Sequence, residues 1–145
     1  MQRILATFLL LAAGLLGLGG CATTSEPQPA KAVYHINTDV NTVPLILNNI
    51  RNHINAAPKD HIVVVTHGAG INFLLQDAKD AQGREFAGTI GDLASRGVEF
   101  RVCNNTLVSR NISPDRVAME AKIVPSGVAE IARLQAQEGY VYLKP

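Results

Sequence analysis

The sequence predicts an α/β fold, a three-layer sandwich around an open, mainly parallel five-stranded sheet of the flavodoxin-like kind. Short apolar runs alternate with amphipathic segments along the 145-residue chain from residue 32 onward. The run H-I-V-V-V-T-H at 61–67 is apolar and β-branched without alternation, which is typical of a central parallel strand covered on both faces. Helices between successive strands require crossover connections, and these favour parallel pairing.

The remaining elements follow from periodicity and boundary residues. Four more strands are predicted at 33–37, 98–103, 121–124 and 140–143. Apolar residues recur at helical spacing within 43–54, 71–78, 86–94 and 128–134. Asn41 or Thr42 is suited to cap the first of these helices and Ser126 the last, which Gly139 is suited to end. Ser113 and Pro114 favour the start of a short helix. The order of elements predicts one domain over residues 32–145.

The N-terminus has the pattern of a signal peptide over residues 1–20. Arg3 supplies the positive charge, Ile4–Leu18 is almost wholly apolar, and L-G-G-C at 18–21 resembles a bacterial lipobox. The resemblance implies lipidation of Cys21, and more than one acyl chain gives firm anchoring. Ala22 favours the outer membrane over inner-membrane retention. We therefore expect a lipid-anchored protein of the bacterial cell envelope that faces the periplasm. An ordinary signal peptide cut near A-T-T is the alternative.

Residues 22–31 are small, polar and proline-containing, as expected of a flexible tether.

Composition and residue spacing exclude several classes of partner and site. The formal net charge is +1 and basic residues are scattered singly, so we expect no nucleic-acid binding. The four histidines show no metal-ligand spacing, and we expect no metal. The turn Gly68-Ala69-Gly70 lacks both the third glycine of a dinucleotide loop and a Lys-Ser/Thr pair, so no cofactor is expected.

Candidate site residues come directly after the predicted strands, where parallel sheets place their sites. Cys103 follows the third strand and precedes two good N-cap residues, so the amides of a helix start would favour its thiolate. Arg101 lies on the same face of the strand, with Glu99 available to neutralise it. A buried, inert cysteine is the alternative. His67 would orient an anion or accept the thiol proton, or else merely cap a strand. The predicted catalytic residues are Cys103 and His67, and the predicted binding residues are Asn37, Gly68, Gly70, Asn104, Asn105 and Thr106.

Three motifs resemble the DsrE/DsrF-like family. They are H-G-A-G-I-N-F-L-L at 67–75, G-V-E-F-R-V-C-N-N-T-L at 97–107 and V-P-S-G-V at 124–128. The resemblance implies an open α/β fold, assembly into homo-oligomers (trimers or hexamers), and sulfur carried as a persulfide on Cys103. The resemblance also implies a partner protein that donates sulfur to this chain or accepts sulfur from it. This protein is predicted to be exported, whereas the sulfur-relay members of the family are cytoplasmic.

Two functions follow from these observations. The first is an envelope lipoprotein that acts through Cys103 as a thiol or persulfide sulfur carrier, or in a related redox role, and is at most transferase-like as an enzyme. The second is a non-catalytic oligomeric binding or assembly module that retains the fold. Glu99 and Arg101 share one face of the third strand with Cys103. Because unpaired buried charge is costly, they should pair there or meet solvent or another subunit.

Overall fold

The structure is a computed structural model that describes residues 28–145. The predicted signal peptide, the lipobox cysteine Cys21 and most of the predicted tether lie outside the described residues. Within residues 28–145, no helix is long and apolar enough to cross a membrane.

The predicted fold class is confirmed: the chain forms a five-stranded sheet with helices on both faces. The strands are β1 Lys31–Ile36, β2 His61–Thr66, β3 Glu99–Cys103, β4 Ala121–Val124 and β5 Val141–Leu143. The helices are α1 Val43–Ala56, α2 Ala87–Ser95, α3 Asn104–Ser109 and α4 Gly127–Glu138, with 3-10 segments at Gly68–Leu74 and Pro114–Arg116. All strand pairs are parallel, in the order β4-β3-β2-β1-β5.

Handedness explains which helix lies on which face. From β1 to β4 each new strand is added on the same side of its predecessor, so right-handed crossovers place α1, α2 and α3 on one face. From β4 to β5 the chain reverses direction across the sheet, so α4 must cross on the opposite face. Two separate cores result. The larger contains apolar residues of α1 and α2, and the smaller packs Ile131 and Leu134 of α4 on valines of β1 and β2.

The helix predicted within 71–78 is wrong in its type and in the residue at which it ends. The segment is a 3-10 helix that ends at Leu74, and Leu75 instead bridges to Val117. A Cβ on Gly70 would stand 2.1 Å from the carbonyl oxygen of Ile36, so this turn is pressed against the end of β1. The apolar residues are buried as expected, but the close approach and the bridge replace a regular helix.

Val128 is also not part of the core, because 63% of its surface is exposed. The buried positions of α4 are Gly127, Ile131 and Leu134, at i, i+4 and i+7. The predicted caps of this helix are present: the Ser126 Oγ accepts from the Ala129 N–H at 3.4 Å, and Gly139 ends the helix at φ +74°.

Candidate functional site

Cys103 lies at the carboxyl end of β3, where the chain after β3 and the chain after its neighbour β4 continue on opposite faces of the sheet. β3 continues into α3 on one face, whereas its neighbour β4 continues into α4 on the other. In open parallel sheets this reversal opens a crevice beyond the carboxyl ends of the strands. Cys103 is the last residue of β3 and the N-cap residue of α3. The sulfur therefore stands between the starts of two helices.

The surroundings of the sulfur favour the thiolate. Cys103 is only 5% exposed, and burial alone raises the pKa of its thiol. Polar groups at the starts of the two helices oppose that effect, first the backbone N–H of Gly127, then the hydroxyl and N–H of Thr106 and the N–H of Asn105. The Asn105 N–H itself donates to the carbonyl of Pro125 at 3.3 Å. The net result is a pKa below that of an ordinary thiol.

Thr106 is held so that its hydroxyl can donate to the sulfur. The N–H of Gly68 donates to the Thr106 Oγ at 3.0 Å, which leaves the hydroxyl proton free for another acceptor. Gly68 adopts φ +55°, a left-handed conformation that favours glycine. The turn after β2 thus sets the orientation of a donor on α3.

Gly127 brings the start of α4 against the ends of β2 and β3. A Cβ at this position would lie 3.1 Å from the carbonyl oxygen of Thr66 and 3.2 Å from the Cβ atoms of both Cys103 and His67. Only a residue without a side chain fits this contact comfortably. The same geometry shows that Cys103 and His67 flank one point on the face that α4 covers.

His67 is part of a group that sequence reasoning missed. Its Nε2 lies 2.7 Å from the Nε2 of His35, and the Nδ1 of His35 lies 2.7 Å from the hydroxyl of Tyr142. Burial lowers the pKa of both histidines, with His67 and Lys144 lowering that of His35 further, to about 4. His35 was not among the predicted site residues. Its position two residues before Asn37, on the face of β1 shared with Val33, was the available signal.

The structure brings together some of the predicted site residues and separates others. Gly68, Asn105 and Thr106 gather with His67 around Cys103. Asn104 is the first residue of α3. Asn37 instead lines a cavity of about 290 Å³ with His35 and Lys144 at the ends of β1 and β5. Gly70 has a packing role, because it lets its turn contact the backbone of Ile36 closely.

Arg101 does not activate the thiol by its charge. Its guanidinium donates to Glu99 at 3.0 Å and to Glu130 of α4, which is also bound by Arg133 at 2.8 Å. The predicted Glu99–Arg101 pair is therefore present, and Glu130 is an additional partner. Because two carboxylates share this cation, its field at the sulfur is largely cancelled.

The described part of the chain contains neither a second free thiol nor a metal-ligand cluster. Cys103 is the free cysteine within residues 28–145. In that same range, no three or more His, Cys, Asp or Glu residues are grouped to hold a metal ion.

The sequence and the fold both match known proteins. The profile of the DsrE/DsrF-like family matches residues 31–145. A solved structure of a protein of unknown function from Methanobacterium thermoautotrophicum, MTH1491, is 32% identical with a TM-score of 0.71, over 80% of this chain and 99% of that chain. The ychN protein from E. coli is 14% identical with a TM-score of 0.64 over the same shares, a likeness that shows the fold alone. A search of curated proteins found no match. The chain belongs to the DsrE/DsrF-like family.

Proposed function

We propose that this protein carries sulfur as a persulfide on Cys103. The observation that carries the proposal is the environment of Cys103, where polar groups at the starts of α3 and α4 hold the pKa of the thiol below that of an ordinary thiol. A thiolate is the nucleophilic form of cysteine, and a terminal persulfide is also an anion that such donors would stabilise. Membership of the DsrE/DsrF-like family supports the same chemistry.

The transfer balances without an added oxidant. The Cys103 thiolate attacks the outer sulfur of a persulfide carried by a donor thiol, the S–S bond of the donor breaks, and the donor leaves as a thiolate that takes up a proton. Delivery reverses these roles, with an acceptor thiolate attacking the outer sulfur on Cys103. The partners of this proposal are therefore a donor and an acceptor protein that each present a thiol.

The N-terminal sequence supports a proposal for the place of this protein in the cell. We propose that the mature protein is anchored through lipidated Cys21 to the outer membrane, faces the periplasm, and is held off the bilayer by residues 22–31. We also propose a homo-oligomer, a trimer or hexamer with an interface near Cys103. A cover of this kind would protect a reactive sulfur in an oxidising compartment.

The direct test is persulfide loading. The full-length protein is incubated with glutathione persulfide, and the mass of the Cys103 peptide is measured after alkylation. We expect one added sulfur on Cys103 in the wild type and none in Cys103→Ser. A wild-type protein that takes up no sulfur would show the carrier function to be wrong.

Thr106 offers a finer test of how the thiolate is stabilised. Thr106→Val removes the donating hydroxyl at nearly constant shape, so the pKa of Cys103 should rise and loading at pH 7 should slow. Thr106→Ser keeps the hydroxyl and should restore both. Thr89→Val on α2 is the control for a threonine-to-valine change elsewhere. The pKa is measured from the pH dependence of iodoacetamide alkylation. A Cys103 midpoint at or above about 8.5, that of an ordinary cysteine, would contradict the thiolate.

The burial of Cys103 favours a second function, a non-catalytic binding or assembly module. A side chain that is 5% exposed resembles a core cysteine. Complementation of a deletion strain separates the two. Full function of a correctly folded Cys103→Ser protein would favour the module, and loss of function would favour the carrier.

A further inference from the structure

His67, His35 and Tyr142 form a continuous hydrogen-bonded chain across three neighbouring strands. Both links measure 2.7 Å, between the two Nε2 atoms and between His35 Nδ1 and the Tyr142 hydroxyl. The imidazole rings also stack, with centroids 4.7 Å apart. The three residues come from the end of β2, from β1 and from the edge strand β5.

The proton positions in this chain are linked. Between two neutral imidazole nitrogens, a hydrogen bond needs one donor and one acceptor. In one state Tyr142 donates to His35 and His35 donates to His67. In the other, His67 donates to His35 and His35 donates to the Tyr142 oxygen. The states differ in whether His67 carries its proton on Nδ1 or on Nε2, and neither has a charged ring. Burial lowers the pKa of both histidines and so favours neutral rings near pH 7.

The two ends of the chain meet different surroundings. The Cβ atoms of His67 and Cys103 both lie 3.2 Å from the position that a Cβ on Gly127 would take. With the Nε2 of His67 bound to His35, its Nδ1 is the ring nitrogen that this chain leaves unused. At the other end, Tyr142 is 39% exposed on the edge strand. The chain therefore runs from His67, next to Cys103, to a side chain that meets solvent.

We propose that His35 and Tyr142 are positioning residues that make His67 a proton carrier between Cys103 and solvent, an inference that rests on the proposed sulfur transfer. The Cys103 thiol proton passes to His67 Nδ1, the Nε2 proton of His67 passes to His35 Nε2, the Nδ1 proton of His35 passes to the Tyr142 oxygen, and the Tyr142 hydroxyl proton enters water. When the donor thiolate leaves, His67 Nδ1 protonates it and the chain runs backwards, taking a proton from water. No ring becomes charged in either direction.

The charged and titratable groups around the chain are few. Lys144 follows β5 and disfavours protonation of both rings. Cys103 lies on β3, and Arg110 donates to the carbonyl of Gly68 at 3.3 Å. On α4, Glu130 is bound to Arg101 and Arg133. A cationic neighbour at one end and paired charges elsewhere are consistent with proton transfer through neutral rings.

The test compares two tyrosine–histidine pairs in one molecule. The hydroxyl of Tyr34 is hydrogen-bonded to the Nδ1 of His53 at 2.9 Å. The Tyr34 side chain belongs to the larger core, on the face of the sheet that α1 covers. Tyr34→Phe is therefore a matched control for Tyr142→Phe. His35→Gln keeps a polar side chain next to His67 but cannot relay a proton. Each full-length protein is loaded with glutathione persulfide at pH 7, with and without added free imidazole.

We expect Tyr142→Phe and His35→Gln to slow loading about tenfold or more, part of the hundredfold or larger effect of a general acid–base. Free imidazole should restore much of the rate, because a mobile proton carrier replaces the chain. Tyr34→Phe should load as the wild type does. Nitrogen NMR of the rings should show altered His35 and His67 tautomers in Tyr142→Phe, and an altered His53 alone in Tyr34→Phe.

Several results would overturn the relay. Wild-type loading rates in both variants would do so, and so would a loss of rate that imidazole does not restore. If the wild type takes up no sulfur, the carrier function fails and the NMR comparison decides on the chain. Unchanged His67 signals in Tyr142→Phe would then show that the three residues are not linked.

Discussion

Replacing Gly127 by alanine tests the contact that brings α4 to the sulfur. The new Cβ would lie 3.1 Å from the Thr66 carbonyl oxygen and 3.2 Å from the Cβ atoms of Cys103 and His67. All three contacts are tighter than ordinary van der Waals packing. Each neighbour is a backbone atom or a Cβ bonded directly to the backbone at the end of β2 or β3, so none can rotate away. The start of α4 must shift by some tenths of an ångström.

Two effects of opposite sign set the magnitude. Overpacking of a close contact costs about 1–3 kcal/mol, while alanine stabilises a helix relative to glycine by up to about 1 kcal/mol. We expect a net loss of about 1–2 kcal/mol in the free energy of unfolding. Because the Gly127 N–H is the first of the groups that lower the pKa of Cys103, displacement of the helix should also raise that pKa.

Gly88→Ala is the matched control. Gly88 also lies in the first turn of a helix, α2, and a Cβ there meets no atom within 4 Å. We expect it to be neutral or more stable than the wild type, by up to about 1 kcal/mol, with the pKa of Cys103 unchanged. Urea unfolding gives the stabilities, and the pH dependence of alkylation gives the pKa. A Gly127→Ala protein as stable as Gly88→Ala, with an unaltered Cys103, would refute this account of the site.

Three further predictions concern charge and assembly. Arg101→Met should lower the free energy of unfolding by about 2–3 kcal/mol in urea. This is less than the roughly 3–5 kcal/mol typical of a broken buried ion pair, because Arg133 still binds Glu130. No loss of stability would show that the ion pairs of Arg101 are unimportant. Since the pKa of His35 is lowered to about 4, the unfolded chain binds more protons below about 6.5, and stability should fall between pH 6.5 and 4 by about 1–2 kcal/mol after allowance for solvent screening. His35→Gln should flatten that slope, and an equal slope would assign it to other groups. Light scattering should show a trimer or larger assembly, weakened by Val128→Glu at an exposed position of α4 beside the site, whereas a monomer at tens of micromolar would exclude the proposed oligomer.

Periodicity and boundary residues predicted most of the fold, because burial and backbone conformation act locally. The β-branched run at 61–67 ends within one residue of β2, and the capping signals at Ser126 and Gly139 are both used. The errors arise where tertiary contacts override the local pattern. The segment after Gly68 is held in a 3-10 turn by the close approach of Gly70 to β1.

The candidate site was predictable in part for the same reason. Cys103 and Thr106 belong to one strand-to-helix junction, so a local pattern contains both. Tyr142 is 107 residues from His35, and their contact exists because β5 pairs with β1. That pairing depends on the order of strands in the sheet, which neither hydrophobic period nor capping residues encode. The same holds for Glu130, which reaches Arg101 only after α4 crosses the sheet.

The order of strands also explains why the sulfur has donors from two helices. A parallel sheet that grew in one direction would place every helix start on one face, and a residue at the end of β3 would meet the amides of α3 alone. Here the return from β4 to β5 sends α4 across the opposite face. Its first turn passes directly over Cys103, where Gly127 permits close contact. The acidity of the thiol is thus a consequence of topology as well as of the residues after Cys103. We infer that changes in α4 will alter the pKa of Cys103 as strongly as changes in α3.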